Sequence, residues 1–160
     1  MLGEGRAPCP RGYVPFRSPF DPAVGSHHGV MLCVRHDIPH SRFVLQSPLQ
    51  AIAVTLHLQK SYTVCSLYLP PNDPLDIPSI RSLIEELPEP FLLLGDFNGR
   101  HPLWGDIVTN ARGNLISSLL EEMELGLFNT GEPTHFHIQT GTLSAIDLSV
   151  CNSGVLLDFT

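Results

Sequence analysis

An acid and an amide two residues apart, at the end of an apolar run, are the sharpest chemical feature of this 160-residue chain. Phe91-Leu92-Leu93-Leu94 reads as a strand buried on both faces, closed by Gly95 and followed by Asp96, Phe97 and Asn98. In extended backbone, residues i and i+2 project to the same side, roughly 6–7 Å apart. Both side chains are then aimed at one spot at the strand's C-terminal end, where open α/β sheets place their ligands. A carboxylate there can orient and deprotonate a water, and an amide can donate to a phosphoryl oxygen. The same two residue types also suit a polar turn after a core strand.

Other polar side chains stand at comparable positions. Tyr68 ends a second apolar segment, Leu67-Tyr68-Leu69-Pro70-Pro71-Asn72; its phenol can bond a phosphate or an attacking oxygen, or be a half-buried amphipathic side chain. Asp147 interrupts the run Ser144–Val150 on the face opposite Ile146, Leu148 and Val150. Turned to solvent it has no role; turned into a site it can orient a histidine. Thr134, Asn110 and Asn72 are candidate substrate contacts. Thr134 also suits a strand start, and Asn110 a helix N-cap with Arg112 solvated beside it. His135 and His137 flank Phe136 without further partners, so the eight histidines offer no chelating motif. Trp104 reads as a loop anchor.

These residues need elements to hold them. Residues 1–22 are Pro-rich without a sustained period, with a short strand at Tyr13–Phe16, and Val30–Arg35 is a second strand. Gln50–Gln59 alternates, with Ile52, Val54, Leu56 and Leu58 on one face and Ala53, Thr55 and His57 on the other. Ser61–Leu69 follows across a turn. Asp76 caps a helix with Pro78 in its first turn and Ile80, Leu83, Ile84 and Leu87 on one stripe, ended by Pro88 and Pro90. A second helix, Asn114–Leu125, carries Leu115, Leu119, Leu120 and Met123 and stops at Gly126. Thr134–Ile138 and Leu143–Cys151 are closing strands around Gly141. Strands first, then helices interleaved with strands, make a layered α/β (α+β) domain.

Composition excludes several classes. With 42% hydrophobic and 16% charged residues the chain is expected to be globular. No apolar run approaches the roughly 20 residues that cross a bilayer, and no signal-peptide pattern is visible. The net charge is −7. Residues 1–60 carry six Lys/Arg against three Asp/Glu, and residues 61–160 three against thirteen. An acidic second half argues against a simple basic groove for nucleic acid and suits a carboxylate site that draws in a divalent cation. Cys9, Cys33, Cys65 and Cys151 form no CxxC pair, which leaves free buried thiols as the expectation and disfavours a secreted disulfide scaffold.

Six segments in order resemble the endonuclease/exonuclease/phosphatase superfamily: Ser66-Leu-Tyr68-Leu-Pro70, Leu92-Leu-Leu-Gly-Asp96-Phe-Asn98, His101-Pro-Leu-Trp104-Gly105, Asn110-Ala-Arg-Gly113, Glu132-Pro-Thr134 and Ser144-Ala-Ile-Asp147-Leu148. The third and fourth are similar, more narrowly, to the endonuclease domain of jockey-type non-LTR retrotransposons. The similarity runs from about Gly12 to Ser153. It implies a DNase I-like, two-sheet β-sandwich flanked by helices over residues 12–160, after an irregular segment 1–11. It further implies Mg²⁺-dependent (or Mn²⁺-dependent) nicking of DNA, in a polyprotein with a reverse transcriptase. Under the resemblance, Asp96 aligns the attacking water and touches the metal, Asn98 binds the scissile phosphate, and Tyr68 supports it. Asp147 orients a histidine, and Thr134 contacts the DNA backbone. A nuclear or cytoplasmic, non-secreted location follows only from that role.

The chain departs from the family pattern at both ends. No early segment matches the family's Asn strand or its Gln-Glu metal ligand, Glu4 included, and no Ser-Asp-His appears after Asp147. His27-His28 stands where relatives have a glycine-rich turn. The expectation is an incomplete domain with impaired catalysis. A phosphatase of the same superfamily and a non-catalytic binding remnant are the alternatives.

Overall fold

The computed structural model describes residues 9–18 and 29–159; Glu4, His27-His28 and most of the irregular 1–11 segment fall outside them. The strands are β1 (Tyr13–Arg17), β2 (Met31–Arg35), β3 (His40–Phe43), β4 (Gln50–His57), β5 (Ser61–Tyr68), β6 (Phe91–Asp96), β7 (Gly126–Leu127), β8 (His135–His137), β9 (Thr142–Ser144) and β10 (Asp147–Cys151). The helices are α1 (Ile77–Glu86), α2 (Ala111–Glu122) and α3 (Ser153–Phe159), with a short 3₁₀ turn at Pro102–Trp104. A six-stranded sheet runs β3-β4-β5-β6-β10-β7, with separate two-stranded sheets β1-β2 and β8-β9. Only β5 and β6 are parallel in the large sheet. A parallel pair needs a crossover, and α1 supplies it. Asp76 starts that helix by accepting from Ser79 N at 3.1 Å, with Pro78 in the first turn, as its sequence predicts.

Sheet alternation decides which side is core. Ala53, Cys65, Leu67, Leu93, Leu148 and Val150 are buried with Ile80, Leu83 and Ile84 of α1 and Ile116, Leu119 and Leu120 of α2. Ile52 and Val54 point the other way and are also buried, where β1 and β2 pack on β4. This is the two-sheet arrangement anticipated from the motifs, with the small β1-β2 sheet over one part of the large one.

Several local expectations change. β6 is not buried on both faces: Phe91 and Leu93 are, while Leu92 and Leu94 are only half-buried. The second helix begins at Ala111, three residues earlier than predicted, because Asn110 caps it. Its buried stripe contains Gly113, Ile116, Leu119 and Leu120, and Leu115 stays 48% exposed. The expected strand Leu143–Cys151 divides into β9 and β10 at Ala145-Ile146, where the chain passes from the outer hairpin into the sheet. β3, β7 and α3 are additional: β3 and β7 are short edge strands, whose alternation is too brief to read.

The rotation of α2 is testable. Ile116→Ala should lower unfolding free energy by about 2–5 kcal/mol, whereas Leu115→Ala should stay within about 0.5 kcal/mol. Urea denaturation of both variants measures this; the opposite ranking would put the helix the other way up.

Candidate active site

The sheet register assembles the site. Gln50 pairs with Tyr68, Tyr68 with Asp96, and Asp96 with Asp147. Four polar side chains thus form a row across β4, β5, β6 and β10, on the face opposite the helix-covered core. Neighbouring members stand about 5 Å apart at Cβ. Because β5 and β6 are parallel, Tyr68 and Asp96 both close their strands at the same edge, and Asp147 opens β10 there. Three of the four catalytic residues named from sequence therefore converge. Gln50 completes the row and was missed; one long polar residue opening a strand carries no local signal. Its Oε1 is buried and meets no donor among the described residues.

Asn98, the fourth, reaches the site by another route. It lies beyond β6 with φ +51°, a left-handed conformation that asparagine tolerates. The extended i, i+2 relation to Asp96 does not hold. Instead Asp96 Oδ1 accepts from Asn98 N at 2.9 Å, and Asn98 Nδ2 donates to Leu69 O at 3.1 Å. Leu69 N in turn donates to Asp96 O at 2.9 Å, so the ends of β5 and β6 are laced together. Gly95 is required beneath them, since a Cβ there would lie 1.8 Å from Leu67 O.

Burial raises the Asp96 carboxyl above the ordinary carboxylate range, and the nearby charge of Asp147 pushes the same way; the two Asn98 interactions and His135 pull it down. Two carboxylates on adjacent strands without an ion pair between them repel, and a divalent cation relieves that repulsion. Mg²⁺ keeps several waters and is commonly held by one or two carboxylates plus substrate phosphate. The row fits such an ion. Among the described residues no cluster of three His, Cys, Asp or Glu could enclose a metal.

The substrate contacts separate. Thr134 Oγ1 accepts from Ile146 N at 3.2 Å and Asp147 N at 3.1 Å, which ties it to the start of β10 while its own hydrogen remains to donate. Asn110 does not join the row. Its Oδ1 accepts from Gly113 N at 2.7 Å and Arg100 N at 3.1 Å, so it is a cap and a brace. Asn72 is exposed on the β5–α1 loop. Arg112 is not solvated as expected: it donates to Pro70 O and, at 3.2 Å, to Asp73 O.

Behind the row lies a buried clamp that the sequence did not announce. Trp104, 1% exposed, donates Nε1 to Gly99 O at 3.2 Å and Ala145 O at 3.1 Å. Asp106 Oδ2 accepts from Ala145 N at 2.9 Å, Oδ1 accepts from Val108 N at 2.9 Å, and Arg100 Nε reaches both oxygens at 3.0–3.1 Å. The Trp104 anchor stands as read. Asn129 holds β10 from its other edge, through Asp147 O and Ser149 N, both at 2.9 Å.

A six-stranded mixed sheet backed by helices, with a second sheet on its other face and a carboxylate at the end of its parallel pair, is a DNase I-like domain. The solved endonuclease domain of TRAS1, a telomere-specific non-LTR retrotransposon, superposes with a TM-score of 0.75 at 23% identity, over 92% of this chain and 70% of that one. Residues 62–158 match the family model described as endonuclease-reverse transcriptase, and the chain belongs to that family. It is 27% identical over 149 residues to the RNA-directed DNA polymerase from mobile element jockey of Drosophila melanogaster, covering 90% of this chain and 16% of that protein. It is 28% identical over 137 residues to the jockey counterpart of Drosophila funebris, covering 83% and 15%. The chain thus spans about a sixth of the length of these relatives.

The clamp has a pH signature. Burial pushes Asp106 up, but Arg100 and the N–H groups of Val108 and Ala145 outweigh it and hold the carboxyl below its ordinary value. Its stabilisation is therefore complete above the unfolded-state pKa of about 3.9 and is lost as pH falls through the lower folded value. Asp106→Asn should cost about 3 kcal/mol at pH 7, since it leaves Arg100 without its charge partner. It should also flatten the acid limb of stability below about pH 4 relative to the parent. Urea melts of both proteins from pH 3 to pH 7 check the two effects together.

Proposed function

We propose that this chain is the phosphodiester-hydrolysing domain of a retrotransposon polyprotein, nicking DNA with a divalent cation, Mg²⁺ or Mn²⁺. The observation that carries the reading is the Tyr68–Asp96–Asp147 row, three groups contributed by adjacent central strands at one end of the sheet. Asp96 is the acceptor best suited to align the attacking water, because it ends β6 beside Asp147 and is fixed by Asn98 N. Asn98 spends one amide hydrogen on Leu69 O and has the second for a non-bridging oxygen. Tyr68 faces the same position from β5, and Thr134 offers its hydroxyl hydrogen to the flanking backbone. A bound Mg²⁺ would be held by Asp96 and Asp147 and would supply charge stabilisation for the phosphoryl oxygens. A reverse transcriptase in the same polyprotein is the expected partner, since the relatives are RNA-directed DNA polymerases, and a nuclear or cytoplasmic location is expected only from that role.

A supercoiled plasmid incubated with the chain and Mg²⁺ should convert to open circles. EDTA, Asp96→Asn and Asp147→Asn should each lower the rate at least about 100-fold, the loss expected when a preorganised charge-stabilising group is removed. Nicking that survives Asp96→Asn would refute the assignment. Release of phosphate from inositol phosphates with no nicking would favour the phosphatase chemistry instead.

A further inference from the structure

Resting on the nuclease reading, we propose that Arg112 is the phosphate-binding cation of this site: one guanidinium nitrogen fixes the loop after β5, and the remaining N–H groups meet a non-bridging oxygen of the bound backbone. The placement comes from hydrogen bonds. Asn98 Nδ2 bonds Leu69 O, and Arg112 Nη2 bonds Pro70 O. Two successive carbonyls, directly after Tyr68, thus receive the site's amide and this guanidinium. That sets Arg112 at the edge where Tyr68 and Asp96 end, although it comes from the first turn of α2.

Charge makes the placement meaningful. Residues 61–160 contain three basic residues, Arg81, Arg100 and Arg112. Arg81 pairs with Glu122 at 2.6 Å, and Arg100 is consumed by Asp106. Arg112 enters no ion pair among the described residues. Burial lowers its pKa while Asp73, Asp96 and Tyr68 raise it, which sets the guanidinium within electrostatic reach of the acidic row. The guanidinium thus stands near the acidic row without a salt bridge to it among the described residues. An anionic diester approaching two carboxylates needs a fixed positive charge, and arginine offers one with a fork of donors that matches two phosphate oxygens. Since only Nη2 is used on Pro70 and Asp73, Nε and Nη1 are left for that contact.

Removing a phosphate contact changes the number of counterions released on binding, an effect that a purely structural brace does not produce. Fluorescence anisotropy of a labelled duplex oligonucleotide in EDTA, with KCl varied, reads this for the 160-residue chain and two variants. Arg112→Gln keeps a donor for Pro70 O and loses the charge; Arg112→Lys keeps the charge. Arg112→Gln should bind several-fold more weakly at low salt, and its slope of log affinity against log salt should be shallower by about 0.9. Arg112→Lys should retain the parent slope. Thermal melts accompany each titration, which is run below the lowest midpoint. An unchanged slope in Arg112→Gln overturns the proposal, and a fallen melting temperature beside it marks Arg112 as a loop brace only. A parent chain that binds no duplex also overturns it; if that chain still nicks plasmid with Mg²⁺, the nuclease reading stands without this arginine.

Discussion

The carboxylate of Asp106 is the constraint on which the geometry of the site depends. It is wholly removed from solvent, and it bonds one guanidinium and two backbone N–H groups from three stretches of chain. A buried charge of this kind is costly unless all its acceptor capacity is used, and here it is. Its partners explain its reach. Arg100 stands two residues after Asn98, and Ala145 two residues before Asp147. With Trp104 gripping the carbonyl of the same Ala145, the peptide at that corner is held from both ends. The spacing of Asn98 and Asp147 is thereby set from behind, by groups that never meet substrate.

In front of that clamp the structure runs against its own stability. Asp96 and Asp147 are cross-strand neighbours on a half-buried face, an arrangement that costs free energy where two aliphatic residues would lower it. The cost is borne by the opposite face, where Leu93, Leu67, Leu148 and Val150 make a dry contact with α1 and α2. One face of each strand secures the fold, and the other is thereby open to chemistry. The parallel pairing of β5 and β6 matters because it brings the ends of two strands, rather than an end and a beginning, to the same edge.

Much of this was legible in the sequence because it is local. The Asp76 cap, the Pro-bounded helix, the alternation of Gln50–His57 and the strand ends at Tyr68 and Asp96 depend on neighbours within a few residues, and so they could be read. What could not be read depends on partners far along the chain. Arg112 looks like any solvent-facing residue of a first helical turn until Pro70 O, 42 residues earlier, is placed against it. Leu115 and Ile116 are adjacent apolar residues, and which one faces the core follows from where Asn110 begins the helix. Asn98 invited an extended reading because it follows a strand; the bond from its own N–H to Asp96 turns the chain instead.

The same distinction bears on what a motif match means. Asn110-Ala-Arg-Gly113 is built around backbone contact: Asn110 braces Arg100 N, and Gly113 packs so closely on Arg100 O that a Cβ would come within 2.0 Å. In the Pro102–Gly105 segment, Gly105 has φ +94°, and a Cβ there would lie 2.2 Å from Gly131 Cα. Among these residues the recognisable letters are mostly those that let chain segments approach, and they report the fold. In the proposed reading the chemistry lies elsewhere, in the groups the register brings into line: Tyr68, Asp96 and Asp147, with Arg112 arriving from the side. A chain could keep both glycine-bearing segments and lose Asp147, and it would still be recognised by its motifs while the carboxylate pair proposed to hold a cation was gone. Catalytic competence in this fold has to be judged from the row, not from the segments that identify it.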